Sequence, residues 1–189
     1  MNSETFESLK GQFLIAMPEL KDPNFSHGVS VICEHTPRGA MGLVVNKVFP
    51  NLKSKHIFQE LGINFEPGVK DLPIYIGGPI KQEQIFVLHG APFDWKGTSK
   101  ISTDLALTNT IDILNAISIN EAPSNFLIVM GYVRWASGQL EAEIMANAWI
   151  NTDFSEEVLF KSNVDKRWEK ANNLLGISPE YLSYSAGHA

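Results

Sequence analysis

A strand passes through a turn into a helix in the stretch Gly131-Tyr132-Val133-Arg134-Trp135-Ala136-Ser137-Gly138-Gln139-Leu140-Glu141-Ala142-Glu143. Turns of this kind often form ligand sites, because the amides at the helix start point at the crevice. Trp135, Arg134 and Gln139 add a flat ring and polar groups there, together with Glu141 and Glu143. An equally supported interpretation is structural: Trp135 fills the core, and the two carboxylates favour the helix dipole.

Strands dominate the chain on either side of this stretch. Short apolar, β-branched or aromatic runs predict six of them, and proline or glycine separates nearly all of these runs. A seventh, weaker strand is predicted at Ile101–Leu107 from its alternating pattern. The six runs are Gln12–Met17, Gly28–Glu34, Met41–Asn46, Leu72–Gly77, Gln84–His89 and Asn125–Gly131.

Helical spacing occurs in four places. The segment 151–160 fits either an extended strand or a short helix. The four predicted helices, with their expected buried residues, are Lys53–Leu61 (Ile57, Phe58, Leu61), the segment capped by Thr108 (Ile111, Leu114, Ile117), Gly138–Trp149 (Leu140, Ile144, Ala148) and Val164–Leu175 (Trp168, Ala171, Leu174, Leu175).

The order of these elements predicts an α+β fold, because the strands come in clusters and a regular βαβ alternation is missing. We expect one domain over residues 1–189, with about seven strands in a mixed or antiparallel sheet, barrel-like as one option, and about four flanking helices. The chain has 189 residues and 44% apolar content, enough to bury a sizeable core.

Charge and apolar patterning limit the classes of partner. A net charge of −6 repels nucleic-acid backbones on average. The basic group Lys166, Arg167 and Lys170 reads as a solvated face. No apolar run approaches the roughly 20 residues that span a bilayer, and Met1–Lys10 carries two glutamates in place of a signal sequence. We therefore expect neither direct nucleic-acid binding nor membrane insertion.

The single cysteine, Cys33, excludes an intrachain disulfide and suits a reducing cytoplasm. Period-two geometry predicts that Cys33 and His35 share one face of a strand, with Glu34 on the other. A cysteine–histidine nucleophile is conceivable there. Cys33 follows Val29 and Val31 on the same predicted face, however, which favours a buried, inert thiol.

The histidines and glycines give no sign of a metal or a cofactor. His27, His35, His56 and His89 lack the spacing of zinc ligands. Gly39-Ala40-Met41-Gly42 predicts a tight hairpin turn and lacks a phosphate-binding motif. Gly77-Gly78-Pro79 could present amides to an anion, although a turn that ends a strand is the simpler interpretation. We expect no cofactor.

Ordered motifs along almost the whole chain resemble the AlgH/YqgE family. The resemblance is carried by Gly11-Gln12-Phe13-Leu14-Ile15-Ala16-Met17-Pro18, Phe25, Glu34-His35, Gly39-Ala40-Met41-Gly42-Leu43-Val44-Val45-Asn46, Gly77-Gly78-Pro79, Val87-Leu88-His89, Gly138-Gln139-Leu140-Glu141-Ala142-Glu143-Ile144, Asn147-Ala148-Trp149 and Arg167-Trp168. The chain departs from the family pattern at Arg134, Ala136 and Ser137, where the family usually carries glycine before the tryptophan and Gly-Pro after it.

The resemblance implies a small bacterial cytosolic protein. The biochemical activity of the family is not established, and its name comes from a proposed role in regulating alginate synthesis and transcription. Because no nucleophile, metal or cofactor constellation can be assembled from the residues, we interpret the chain as a non-enzymatic regulatory or binding protein. It would act through an unknown protein partner or a small ligand.

The alternative is a small-molecule-binding enzyme, with a glutamate or a histidine as the proton-transfer group. Its cleft would be formed by His35, Asn46 and the turn from Trp135 to Glu143. No catalytic residue is assigned. The ligand-binding candidates are Glu34, His35, Asn46, Gly77, Gly78, Trp135, Gln139, Glu141 and Glu143.

We predict that the purified protein shows no sequence-specific affinity for duplex DNA, because its net charge is −6 and no segment resembles a basic recognition helix. A binding titration at moderate salt tests this. Submicromolar, sequence-specific binding would contradict it.

Overall fold

The computed structural model describes residues 6–176 as an α+β domain built on a curled, largely antiparallel sheet. Residues 1–5 and 177–189 of the expected domain, including the start of the Met1–Lys10 segment, lie outside the described residues. The strands are β1 (Phe13–Ala16), β2 (Val29–Thr36), β3 (Gly39–Val44), β4 (Val48–Lys53), β5 (Pro73–Ile76), β6 (Ile80–His89), β7 (Ser99–Lys100), β8 (Ala106–Thr108), β9 (Phe126–Ala136) and β10 (Trp149–Thr152).

Four α-helices, one π-helix and one 3₁₀-helix complete the fold. The segment Glu157–Lys161 is a π-helix, and Val164–Lys166 is a 3₁₀ turn that leads directly into the last α-helix. The α-helices are α1 (Ser54–Glu60), α2 (Ile111–Ser118), α3 (Gln139–Met145) and α4 (Arg167–Asn173). Within residues 6–176, no helix combines the length and apolar character needed to cross a bilayer.

The strand order is β10-β1-β2-β3-β9-β6-β8-β7, and β5 joins β9 while β4 joins β5. All pairings are antiparallel except that of β5 with β9. The two ends of the sheet curl towards each other: the Lys10 ammonium donates a hydrogen bond to the Lys100 carbonyl at 2.9 Å, joining the segment before β1 to the end of β7. The sheet is therefore a half-barrel.

The longest strand, β9, changes one of its neighbours half-way along. Its first half pairs with β5, through Ile128 opposite Ile74, and its second half pairs with β3, through Trp135 opposite Ala40. The change occurs at Gly131, whose φ of +74° is a conformation that residues with a Cβ rarely adopt.

Gly78 makes this change of neighbour possible on the facing segment. With φ of +155°, it packs so closely on β9 that a Cβ there would lie 2.3 Å from the Tyr132 backbone. The preceding Gly77 donates its amide to the Met130 carbonyl and accepts a hydrogen bond from the Val44 amide, both at 2.8 Å. The backbone of Gly77 is therefore bonded on one side to β9 and on the other to β3. The two segments cannot separate at this junction without losing both hydrogen bonds.

Three apolar clusters fill the two faces of the sheet. The inner core lies on the inner face of the half-barrel, beneath the π-helix and α4, and includes Phe13, Ile15, Val29, Val31, Leu43, Phe86, Leu88, Leu127, Val129, Leu159 and Ala171. The second cluster packs α1 and α2 on the outer face, through residues such as Phe58, Ile74, Ile113 and Ile128. The third packs α3 over the other end of that face and includes Leu14, Ile32, Ala40, Val133, Trp135, Leu140 and Trp149.

A β-bulge in β2 reverses which residues face inwards. Cys33 belongs to the inner core, and the pairing with β3 shifts by one residue between Ile32 and Glu34. Beyond the shift Glu34 pairs with Met41, which packs on the inner core, and His35 pairs with Ala40 of the third cluster. The prediction that Cys33 and His35 share a face is therefore wrong, because an extra residue in one strand breaks the period of two.

Six predicted strands are confirmed as β1, β2, β3, β5, β6 and β9, with shifted ends. The seventh is wrong over most of its length: Ile101 to Asp104 form bends, between the short strands β7 and β8. The predicted hairpin turn at Gly39 is also displaced. The chain turns at Pro37 and Arg38, and Gly39 already belongs to β3. The sequence patterns do not predict β4, β7 or β10. Residues 151–160, which fit either a strand or a helix, contain the end of β10 and most of the π-helix.

All four predicted helices exist, and their errors lie at the ends. The third stops at Met145, because Asn147 takes a positive φ of +56° and Trp149 starts β10. The second is preceded by Thr110, while Thr108 belongs to β8. Leu61, Ile111 and Leu174 are exposed, against expectation. The largest difference from the sequence-based prediction concerns Arg167: the sequence predicts a solvated side chain, and the structure buries it at 2% exposure.

We predict that Gly78→Ala lowers the free energy of unfolding by at least about 3 kcal/mol, because the new methyl group would collide with the β9 backbone. Gly62→Ala is the matched control. Gly62 also has a positive φ but open space around it, so its loss should be about 1 kcal/mol. Urea unfolding of both variants measures the difference, and equal losses would show that the contact at Gly78 can relax.

Candidate functional site

Glu143 is the centre of the polar cluster in the strand–turn–helix stretch. Its Oε2 accepts a hydrogen bond from each of two indoles, Trp135 Nε1 at 2.9 Å and Trp149 Nε1 at 2.8 Å. Its Oε1 accepts from Gln139 Nε2 at 2.8 Å, and Gln139 Oε1 in turn accepts from the Ala136 amide at 2.9 Å. The cluster satisfies its own members, and its geometry serves to lock α3 onto β9 and β10.

His35 is held in one neutral tautomer by its two neighbours. Its Nδ1 accepts a hydrogen bond from the Leu9 amide at 3.0 Å, so the proton resides on Nε2, which donates to Glu141 Oε1 at 3.0 Å. The side chain is 1% exposed, and Phe6 covers it edge-on with ring centroids 4.8 Å apart. His35 therefore ties the N-terminal segment, β2 and α3 together.

Cys33 is packed away from this histidine. Burial raises the pKa of its thiol to about 12, and its sulfur donates only a long hydrogen bond, 3.6 Å, to the Val31 carbonyl. The thiolate that a nucleophile requires is therefore disfavoured at neutral pH. The buried interpretation of Cys33 is confirmed.

Asn46 lies far from the other candidates. Its Oδ1 accepts from the Val29 amide at 2.8 Å and its Nδ2 donates to the His27 carbonyl at 2.7 Å. Val29 is six residues from His35 along the same strand, about 20 Å at 3.3 Å per residue. Asn46 instead borders a separate cavity of about 620 Å³ beside Trp168. The structure thus joins His35 to the turn but places Asn46 elsewhere.

Of the remaining candidates, Gly77 and Gly78 belong to the junction with β9. The Gly77 amide is engaged by the Met130 carbonyl, which leaves it closed to an anion. Glu34 differs from all the others: it is exposed, on the inner face, and makes no hydrogen bond through its side chain to any residue from 6 to 176.

A groove surrounds Glu34 on the inner face, where the inner core ends. Glu34, Met41 and Arg134 form one row across β2, β3 and β9. Phe86 and Tyr132 lie beside this row, edge to face, with ring centroids 6.1 Å apart. The groove has a volume of about 630 Å³. We call it the basic groove; it is lined by Glu34, Thr36, Arg38, Gly39, Ala40, Met41, Lys81, Gln84, Phe86, Tyr132 and Arg134.

Three cations and one carboxylate line the basic groove. Arg38, Lys81 and Arg134 are exposed, and none forms an ion pair with a carboxylate of residues 6–176. An adjoining cavity of about 550 Å³ shares Glu34 and Met41 and adds Lys10. The sequence does not predict the basic groove, because its three cations are far apart along the chain and come together only in the fold.

Comparison with known proteins identifies the family of this chain. Residues 13–180 match the family model described as AlgH-like. The chain belongs to the AlgH-like family. This AlgH-like protein is 41% identical over 189 residues to a UPF0301 protein of Desulforapulum autotrophicum, with 100% of both chains covered. It is 39% identical over 186 residues to the UPF0301 protein YqgE of Escherichia coli, covering 96% of this chain and 100% of that one.

Solved structures share the fold of this AlgH-like protein. The solution structure of the AlgH protein from Pseudomonas aeruginosa superposes with a TM-score of 0.78 at 36% identity, over 100% of both chains. A crystal structure from Corynebacterium diphtheriae matches with a TM-score of 0.68 at 19% identity, covering 88% of this chain and 87% of that one. The second likeness shows the fold alone.

Arg134, Ala136 and Ser137, the positions where a departure from the family pattern is expected, lie at the end of β9 and in the turn before α3. Arg134 contributes a guanidinium to the groove itself. Ser137 donates its hydroxyl to the Pro37 carbonyl at 2.6 Å, which fastens the turn before α3 to the β2–β3 hairpin. Within residues 6–176, no three histidine, cysteine or acidic side chains gather as a metal site would require.

We predict that Glu143→Ala lowers the free energy of unfolding by about 3–5 kcal/mol, because it leaves two indole N–H groups without their acceptor. Glu141→Ala is the control. Its carboxylate is 42% exposed and accepts from one side-chain N–H group, that of His35, whereas Glu143 accepts from three, so a smaller loss of about 1–2 kcal/mol is expected. Chemical unfolding followed by tryptophan fluorescence measures both, and equal losses would contradict the bridging role of Glu143.

Proposed function

We propose that this AlgH-like protein is a cytoplasmic, non-enzymatic binding protein whose ligand is an anion with an apolar part, held in the basic groove. The observation that carries the proposal is the charge of that groove: three cations face one carboxylate on a chain of net charge −6. Cations gathered in a concave surface focus the local potential and attract anions, even on an acidic protein.

The residues that line the basic groove suit both the anionic group and the apolar part of such a ligand. The guanidiniums of Arg38 and Arg134 suit carboxylates and phosphates, which they can bind with two parallel hydrogen bonds. Met41, Phe86 and Tyr132 supply an adaptable apolar surface beside them. The volume of about 630 Å³ is that of an ordinary small-molecule site.

The absence of activated groups at the groove supports binding rather than catalysis. The His35 imidazole is turned to the opposite face and engaged by Glu141, and the Cys33 thiol is kept protonated by burial. Glu34 is the one carboxylate among the lining residues. A regulatory role of the kind that the family name suggests would then act through ligand or partner occupancy, without direct contact with DNA.

We predict that the basic groove binds anilinonaphthalene sulfonate, an aromatic anion, and that Arg134→Ser weakens this binding about tenfold or more. Fluorescence titration measures the dissociation constant. Phenylnaphthylamine, which has the same rings without the sulfonate, should bind the parent protein and the variant alike.

Lys21→Ser is the matched control, because Lys21 is exposed outside the groove and its loss changes the net charge equally. It should leave the dissociation constant unchanged. If Lys21→Ser and Arg134→Ser weaken binding to the same extent, the dye responds to net charge, and the groove is not its site.

A further inference from the structure

Arg167 is a buried cation at the start of α4. Its side chain packs against the sheet. Nη1 donates a hydrogen bond to the Val45 carbonyl, and Nη2 donates one to the Tyr75 hydroxyl at 3.1 Å. The guanidinium carbon lies 5.0 Å from the centroid of the Tyr75 ring. The residue is 2% exposed.

The positive charge of Arg167 has no counter-charge among residues 6–176. No carboxylate of these residues lies within 4.0 Å of it, and Nε has no hydrogen-bond acceptor. A guanidinium has five N–H groups and stays protonated in proteins. Burial lowers the pKa of Arg167, and the neighbouring Tyr75 opposes that shift. Removing one unpaired charge from water is costly unless an anion compensates it.

A cavity of about 420 Å³ adjoins this buried guanidinium. Arg167 and Tyr75 line it, Lys70 adds a second cation, and Phe126 and Phe160 add apolar surface; no carboxylate belongs to its lining. A carboxylate does lie nearby, since Asn125 of the lining donates through Nδ2 to Glu156 at 2.8 Å. Glu156 also faces Lys161 at 3.7 Å.

We propose that this cavity is a second ligand site, separate from the basic groove, that takes a small organic oxyanion, a carboxylate or a phosphate, onto Arg167. The Tyr75 hydroxyl accepts from Nη2, so its own proton is free to be donated to the ligand. The oxyanion supplies the missing counter-charge, Lys70 steers it to the cavity, and the body of the ligand packs on Phe126 and Phe160.

The sequence offers a direct way to observe the site, because the whole chain has three arginines, Arg38, Arg134 and Arg167. An ¹⁵N spectrum of the full-length protein therefore contains three arginine Nε signals. Arg38→Lys and Arg134→Lys each remove one exposed arginine and assign its signal, which leaves the third to Arg167. No variant of the buried residue is needed, so a failure of such a variant to fold does not affect the test.

The experiment titrates the protein with benzoate and, separately, with phenyl phosphate; benzamide is the neutral control. We expect the Arg167 signal to move and saturate with at least one anion and to stay in place with benzamide. The anion that binds more tightly identifies the preferred oxyanion. Lys70→Glu should raise the dissociation constant about tenfold, whereas Lys21→Glu, with the same charge change outside the cavity, should not.

The proposal is wrong if the Arg167 signal is unmoved by either anion up to about 10 mM, beyond the weak end of specific affinity. It is also wrong if that signal moves equally with benzamide, or if it drifts without saturating and does so equally with sodium chloride, as a response to ionic strength would. Because the basic groove is also proposed to bind anions, movement of the Arg38 and Arg134 signals alongside that of Arg167 is compatible with both sites. Movement of those two signals without that of Arg167 rejects this site and leaves the proposed function standing.

Discussion

The rest of the architecture depends on one close contact of backbone with backbone, where β9 leaves β5 and joins β3. A strand in a sheet has two edges, and β9 must satisfy three neighbours along its eleven residues. It does so because Gly131 turns the strand while Gly78 lets the facing chain approach without a side chain between them. A sheet without this junction would have to be flatter or be broken in two, and neither encloses an inner core.

The same junction determines where polar chemistry can occur. Before Gly131, the inward residues of β9 are apolar and belong to the inner core; after it, Tyr132 and Arg134 face inwards. The bulge at Cys33 has the equivalent effect on β2 and brings Glu34 to the inner face. Two local irregularities thus convert the end of an apolar surface into a charged one. The residues displaced to the other face, His35 and Trp135, fasten α3.

Much of the fold was predictable from sequence because six strands and four helices follow from apolar periodicity, which burial enforces. The errors have physical causes. Short strands such as β10 derive their stability from neighbours distant in sequence, and a bulge changes phase without any compositional sign. The strand–turn–helix stretch was recognised as polar, but its groups are satisfied by each other. The basic groove and the burial of Arg167 depend on distant segments meeting, which one sequence read in order does not disclose.

The short strands at the margins of the sheet have a consequence for association. Within residues 6–176, the strands with an unpaired side are β4, β7 and β10, of six, two and four residues. Pro50 removes a donor from the longest of them. Such margins offer an incoming chain too few amides and carbonyls for templated growth of the sheet. For the part of the chain that the structure describes, we therefore expect partners to be recognised through side chains. Strand pairing between copies, which longer and flatter edges allow, is disfavoured at these margins.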